Sequence, residues 1–263
     1  MKGFVIRFGG EIKAAWLLRV KYPLEYLFEW LGLILIFVVI YFGIGVLSQG
    51  GIAPAWGEEA AIRYALWVLC LEAIVLFPVT IEQEALTGTL EQLFLAPKGG
   101  LSLLIMRYVG GLLFQLIGTT LIFSALILVT QPPLTLNLGA FIVALIILIG
   151  VSGVGFFLGA LALLFKRIWS LTNLMQMIFL GLAIVPVDRL AWPLPPLMKG
   201  LPLAAGLPLL NDLLLGRAPF WEVLARGEFP LLLLNSFFYL ALGTIALKAA
   251  GSKARQRGLL GKY

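Results

Sequence analysis

An all-α integral membrane fold with six transmembrane helices is predicted by three observations. The 263-residue chain is 61% hydrophobic and only 12% charged, against about 25% charged in a soluble domain, so its surface must largely face lipid. Six apolar runs approach or exceed the ~20 residues that cross a bilayer. The basic residues are unevenly shared between alternate connecting segments, as membrane orientation demands.

The elements follow in order. Over residues 1–22, Phe4, Phe8, Ile12, Ala15, Trp16 and Leu18 recur between Lys2, Arg7, Lys13, Arg19 and Lys21. That pattern predicts an amphipathic helix lying in the interface. The first span covers 24–47; it is too long for a signal-peptide core and sits too far behind this basic stretch. Gly50, Gly51 and Pro54 in the loop 48–57 end it. The second span covers 60–81. The third, 101–130, is stopped by Gln131-Pro132-Pro133, and the fourth, 138–165, by Lys166-Arg167. The fifth opens at Trp169 and ends near Pro186. The sixth covers 229–249. Trp56, Trp169, Trp192 and Trp221 read as interface anchors. The whole chain, 1–263, is expected to be one transmembrane domain.

Residues 188–228 are rich in leucine but broken by Pro193, Pro195, Pro196, Pro202, Pro208 and Pro219. Proline lacks a backbone donor and clashes with the preceding turn, so no single helix is expected here. Short helices dipping into the membrane are expected instead, covered by protein or facing a wet cavity.

Six spans put both termini on one side. With the N-terminus inside, fourteen of the 19 Lys and Arg residues fall on the cytoplasmic side. Only Arg63, Arg189, Lys199, Arg217 and Arg226 fall outside. The N-in, C-in orientation follows, and it accounts for the net charge of +6 without a nucleic-acid partner. The chain has no histidine and one cysteine, Cys70, in an apolar run. Histidine catalysis, an internal disulfide and zinc sites built on Cys or His are thereby excluded. No catalytic constellation is visible, and an enzyme is not expected.

The most polar stretch, QEALTGTLEQLFLAP (83–97), falls with Glu82 in the cytoplasmic link 82–100. Gly88 permits a sharp change of direction. Thr89 and Gln92 have capping-box spacing. Leu90, Leu93 and Phe94 give one apolar face, and Pro97 with Gly99-Gly100 ends the turn. So short a helix is not stable alone. Its carboxylates are disfavoured beside an anionic leaflet, and a partner with a basic-rimmed groove is expected.

The run Glu82…Gly88-Thr89-Leu90-Glu91…Pro97 resembles the signature loop of ATP-binding-cassette transporter permeases of the type-2 exporter class. Gln83 stands where that family often has Arg. The resemblance implies that Glu82, Gly88, Thr89, Leu90, Glu91, Leu93, Phe94 and Pro97 form a coupling helix seated in an ATPase subunit. Pro196, Pro208 and Asn211-Asp212 are similar to the family's external re-entrant hairpin. The implied assembly has two ATPase copies, which carry ATP and Mg. The permease pairs with itself or with a second permease, and spans one, two and five line the path and the dimer contact. The chain has no G-x-x-x-x-G-K-[ST], so nucleotide would bind the partner and no cofactor is expected in this chain. The expected site is a bacterial-type inner membrane. The expected function is export of a hydrophobic or amphipathic substrate: a drug, a lipid or a lipid-linked glycan.

Glu72, inside span two, is costly if ionised in hydrocarbon. It has two readings: a gating group on the path, or a structural hydrogen bond. Glu25 and Glu29 share a helix face and read either as anchors paired with Arg19 or Lys21, or as a polar gate. Tyr41 is an aromatic candidate for a greasy cavity. An ion-coupled secondary transporter using Glu72 is the alternative function.

Overall fold

The structure is a computed structural model and describes residues 9–10, 13, 16–17, 20–47, 58–95, 100–135, 137–185 and 192–256. Most of the predicted interface helix, the 48–57 loop with Trp56, and Pro97, Lys98, Pro186 and Arg189 lie outside the described residues.

The described residues form helices and connecting turns. In chain order these are α1 (Pro23–Leu47), α2 (Ala60–Leu86), α3 (Thr89–Leu95), α4 (Gly100–Thr130), α5 (Leu138–Phe165), α6 (Trp169–Ile184), α7 (Leu194–Lys199), α8 (Pro202–Leu214), α9 (Phe220–Ala225) and α10 (Glu228–Gln256). Five of them, α1, α2, α4, α5 and α10, are long and apolar enough to cross a membrane. This is a multi-pass membrane architecture. The predicted fifth span is α6, only 16 residues long and so about 24 Å. It nevertheless runs between the two ends of the bundle: Ile168, just before it, meets Glu82, and Ala183 meets Arg63.

Two expected boundaries shift. α2 continues to Leu86, so Glu82, Gln83 and Glu84 sit on its last turns and not in a loop. Pro78 lies inside α2 without ending it. The last span extends to Gln256, past the expected 249.

α2, α5 and α10 form the centre. Small residues let their backbones touch, the arrangement expected where lipid supplies no hydrophobic drive between helices. A methyl at Gly153 of α5 would collide with the backbone of Tyr239 of α10, and one at Gly243 with the backbone of Gly153. On the other side of α5, a methyl at Gly155 would strike the carbonyl of Ala73 in α2. Phe77, Tyr108 and Phe156 fill the junction of α2, α4 and α5 edge-to-face, with centroids 4.9–5.6 Å apart.

The proline-rich region is indeed three short helices, but its prolines mostly start helices and do not break them. Pro193 and Pro219 precede α7 and α9, and Pro202 opens α8, where the missing N–H costs nothing. Pro208 lies inside α8. Pro196 sits in the first turns of α7. The start of α8 is deep. Pro202 packs at Gly150 and Gly206 at Ile147 of α5. Gly150 lies twelve residues from the start of α5, a depth of about 18 Å. The turn before α8 is held there by Asn235 of α10, whose side chain donates to the Lys199 carbonyl at 2.8 Å. Irregular backbone at that depth is thus covered by protein. The other end of α8 is stitched to the 131–137 link. Thr135 N–H donates to Leu214 O at 2.7 Å, and the Asn137 amide to Leu213 O at 3.0 Å. These satisfy carbonyls a helix end leaves open.

Candidate functional site

At one end of the bundle lies α3. Gly88, with φ +71°, turns the chain between α2 and α3, a conformation glycine adopts without strain. The Thr89 hydroxyl does not close the expected capping box. It donates back to the Glu84 carboxylate at 2.5 Å. The apolar face is also directed otherwise than expected: Leu90 and Phe94 are buried within the chain itself, and Leu93 is half-buried. Phe94 lies under the Arg255 guanidinium of α10, 5.5 Å from the ring centre. The surface that α3 leaves open is Glu91, Gln92 and Leu95, flanked by Leu86; both leucines are 78% exposed.

The acidic residues here differ in use. Glu84 forms an ion pair with Arg107 of α4, so its charge is met within the chain and not by the basic-rimmed groove expected of a partner. Glu82 accepts from the Ile168 N–H at 3.3 Å, placing negative charge at the start of α6, where the helix dipole favours it. Glu91 remains exposed, without an ion pair among the described residues. Together Glu82, Glu84 and Phe94 tie α2, α3, α4, α6 and α10 at this end. Arg107→Met is expected to lower the melting temperature by a few degrees, about 1 kcal/mol for a partly buried pair. It should also speed proteolysis within 86–100. Unchanged cleavage there would argue against the clamp.

The four residues suggested for a path are not brought together. Tyr26 and Trp16 both meet Phe114 of α4, at 5.8 and 5.6 Å. Phe114 lies seven residues beyond Arg107, so α1 starts about 10 Å inward from the Glu84–Arg107 pair. Glu25 and Glu29, exposed on the first turns of α1, therefore lie nearer the depth of Glu72 than that of α3. Tyr41 stacks on Phe37 at 5.4 Å, toward the opposite end. Glu72 is half-buried on α2. Gly111 of α4 packs against Leu76, and the antiparallel register then sets Gln115 level with Glu72. Gln115 is 4% exposed, and its Nε2 has no hydrogen-bond partner among the described residues.

At the other end, around α9, a second cluster forms; the sequence reading had singled out only Asn211 and Asp212 of it. Glu59 accepts from Arg63 at 2.7 Å, Asn211 at 2.9 Å and Arg217 at 2.5 Å. Arg217 also reaches Glu58 at 3.4 Å, and Arg63 donates to the Ala183 carbonyl at 3.4 Å. Asp212 pairs with Arg226 at 2.5 Å. One carboxylate thus joins the start of α2 to α8 and, through Arg63, to the end of α6. Burial pushes the Glu59 carboxyl up, but hydrogen bonds and charge from Arg217 and Arg63 outweigh it and hold the group below its ordinary value of 4.5. The i,i+4 spacings of Glu59 with Arg63 and of Glu222 with Arg226 were the local sequence signals for this cluster.

Beside this cluster, α4 and α5 each pack on α2 but make little contact with one another. The space between them is a crevice of about 350 Å³, floored by Ile62 and Leu66, walled by Phe123 and Phe141, and roofed by Leu210 and Leu214. No protein-family model matches the chain, and no curated protein matches it.

Proposed function

We propose that the chain is the membrane-spanning subunit of an ATP-driven exporter of the cassette type, moving a hydrophobic or amphipathic substrate out of the cytoplasm. In this reading α6 serves as a sixth span, both termini are cytoplasmic, and the α3 end faces the cytoplasm of a bacterial-type inner membrane. Arg107, Lys166, Arg167, Lys248, Lys253 and Arg255 then fall inside, and Arg63, Lys199, Arg217 and Arg226 outside, in keeping with positive-inside orientation.

The observation that carries the proposal is the placement of α3. α2 has 27 residues and α4 has 31, so they run about 40 and 46 Å. The hydrocarbon core is about 30 Å thick. Their excess length supports a helix standing clear of the bilayer, with Leu86, Glu91, Gln92 and Leu95 facing outward. Two ATPase copies carrying ATP and Mg would bear on these surfaces in a dimer of permeases. The exposed apolar side of α1 (Phe28, Leu35, Val39) suits a second permease chain. ATP would have to bind the closed arrangement more tightly than the open one to drive the spans between states.

Leu95→Asp and Glu91→Lys are expected to weaken co-purification with the ATPase about tenfold or more, as loss of an interface anchor does. Both positions are exposed, so membrane insertion and melting temperature should stay unchanged. Retention of the ATPase by both variants would count against the proposal. Transport that continues without an ATPase, on an ion gradient, would favour the Glu72 alternative.

A further inference from the structure

The crevice between α4 and α5 has a composition that selects its occupant. Its wall is almost wholly apolar. Of its polar groups, Thr120 already donates to Leu116 O at 2.7 Å. Asn137 is engaged at both ends, donating to Leu213 O at 3.0 Å and accepting from the Ala140 N–H at 2.7 Å. Only the Thr119 hydroxyl, on a residue 8% exposed, has no partner among the described residues. An ordered water needs two to four polar partners, so one hydroxyl does not make a water site. A volume near 350 Å³ lies at the lower end of small-molecule sites, about 300–1,000 Å³, and far above a packing defect.

Position decides the rest. The crevice is flanked by side chains that face outward from the bundle: Phe141 is 62% exposed and Leu121 53%. These belong to α4 and α5, both long and apolar enough to cross a membrane. The crevice begins beside Asn137, at the start of α5, and runs along α4 to Leu116, fourteen residues from the end of that helix and so about 21 Å along it; its mouth opens sideways between two helices that can cross a membrane. It is separate from Glu25, Glu29 and Tyr41, and from the surface of α3.

We propose that this crevice is a lipid site that takes one acyl chain of a membrane phospholipid, entering laterally between α4 and α5 and ending under Leu210 and Leu214 of α8. The chain fills the gap that α4 and α5 leave over α2 and thereby props them apart. The proposal requires only that these helices cross a bilayer. It does not depend on the transport reading and survives if no ATPase partner exists.

The test uses the full chain in phosphatidylcholine vesicles doped with a phosphatidylcholine that carries a diazirine on one acyl chain. After photolysis, adducts are mapped by mass spectrometry. Adducts on Phe123, Phe141 and Ala144 are expected in about fivefold excess over those on Leu234 and Phe237 of α10, which are exposed but do not line this crevice. Ala144→Trp fills the site and should cut the crevice adducts about fivefold while leaving those on α10 unchanged. If that variant does not assemble, Phe123→Ala enlarges the site and should raise adducts on Phe141 and Ala144. Equal labelling of crevice and α10 face overturns the proposal. So does crevice labelling that neither variant alters.

Discussion

Gly153→Leu is expected to leave no stably assembled protein. At Gly153 the backbones of α5 and α10 touch: a single methyl there would overlap Tyr239, and one at Gly243 would overlap Gly153 in return. Ordinary overpacking costs about 1–3 kcal/mol because side chains can shift. Here the obstacle is backbone, so the helices themselves must separate, and the cost should exceed that range. α10 also carries Asn235 and Arg255, which hold the turn before α8 and the ring of Phe94. Prying it from α5 therefore loosens both ends of the bundle. Gly181 is the control, because a methyl there meets nothing within 4 Å. Gly181→Ala should be neutral or slightly stabilising, since glycine inside a helix is unfavourable by about 0.5–1 kcal/mol relative to alanine. Size-exclusion profiles and melting temperatures in detergent read both variants. A Gly153→Leu protein that melts like the parent would refute the seam.

Glu59→Ala should come second in size. It removes the one acceptor shared by Arg63, Asn211 and Arg217, leaving the mostly buried Arg63 without its counter-charge and Arg217 with Glu58 alone. Breaking one side of a fully buried pair costs about 3 kcal/mol or more; with Arg217 partly exposed and still near Glu58, about 2 kcal/mol is expected here. Glu59→Gln keeps the shape but not the charge and should fall between. The pH dependence has a definite sign. The Glu59 carboxyl lies below its ordinary value in the folded chain, so its contribution is fully present above pH 4.5, the ordinary value, and is lost as pH falls through the lower folded value. Between pH 5 and 8 this group gives no pH dependence. Melting temperatures taken from pH 7 downward should converge for parent and Glu59→Gln only on the acid side of 4.5. Convergence already at pH 6 would assign the effect to another group.

The helices were legible in the sequence because lipid imposes one rule on every residue of a span. The run 138–165 begins and ends in the structure where composition placed it. Glu84 shows where that rule stops. Its base, Arg107, lies 23 residues away across a turn, and Glu59 and Arg217 are 158 residues apart. No local pattern announces such pairs. The apolar face of α3 was legible as a face, but not its direction. Leu90 and Phe94 turn inward because Arg255 and Gly251 of the distant α10 shape a place for Phe94. Burial of that face gives the outward role to Leu86 and Leu95, which a helical wheel alone would not choose. The prolines of 193–219 misled in a similar way. Each was read as a break, whereas a proline at a helix start is neutral, and which role applies depends on where the neighbouring turns fall.

α1 joins the bundle unlike any other long helix. Its attachments are chiefly aromatic: Tyr26 and Trp30 on Phe114, Phe37 on Tyr64, and the Tyr64 hydroxyl to the Leu33 carbonyl at 2.7 Å. Gly32 has nothing within 4 Å of where a methyl would stand. Mechanically, the chain is a stiff block with one compliant stave. A change in bilayer thickness or lateral pressure will strain α1 before it strains the backbone seam of α5 and α10. The lipid composition of the host membrane thus becomes a variable that sets how α1 leans.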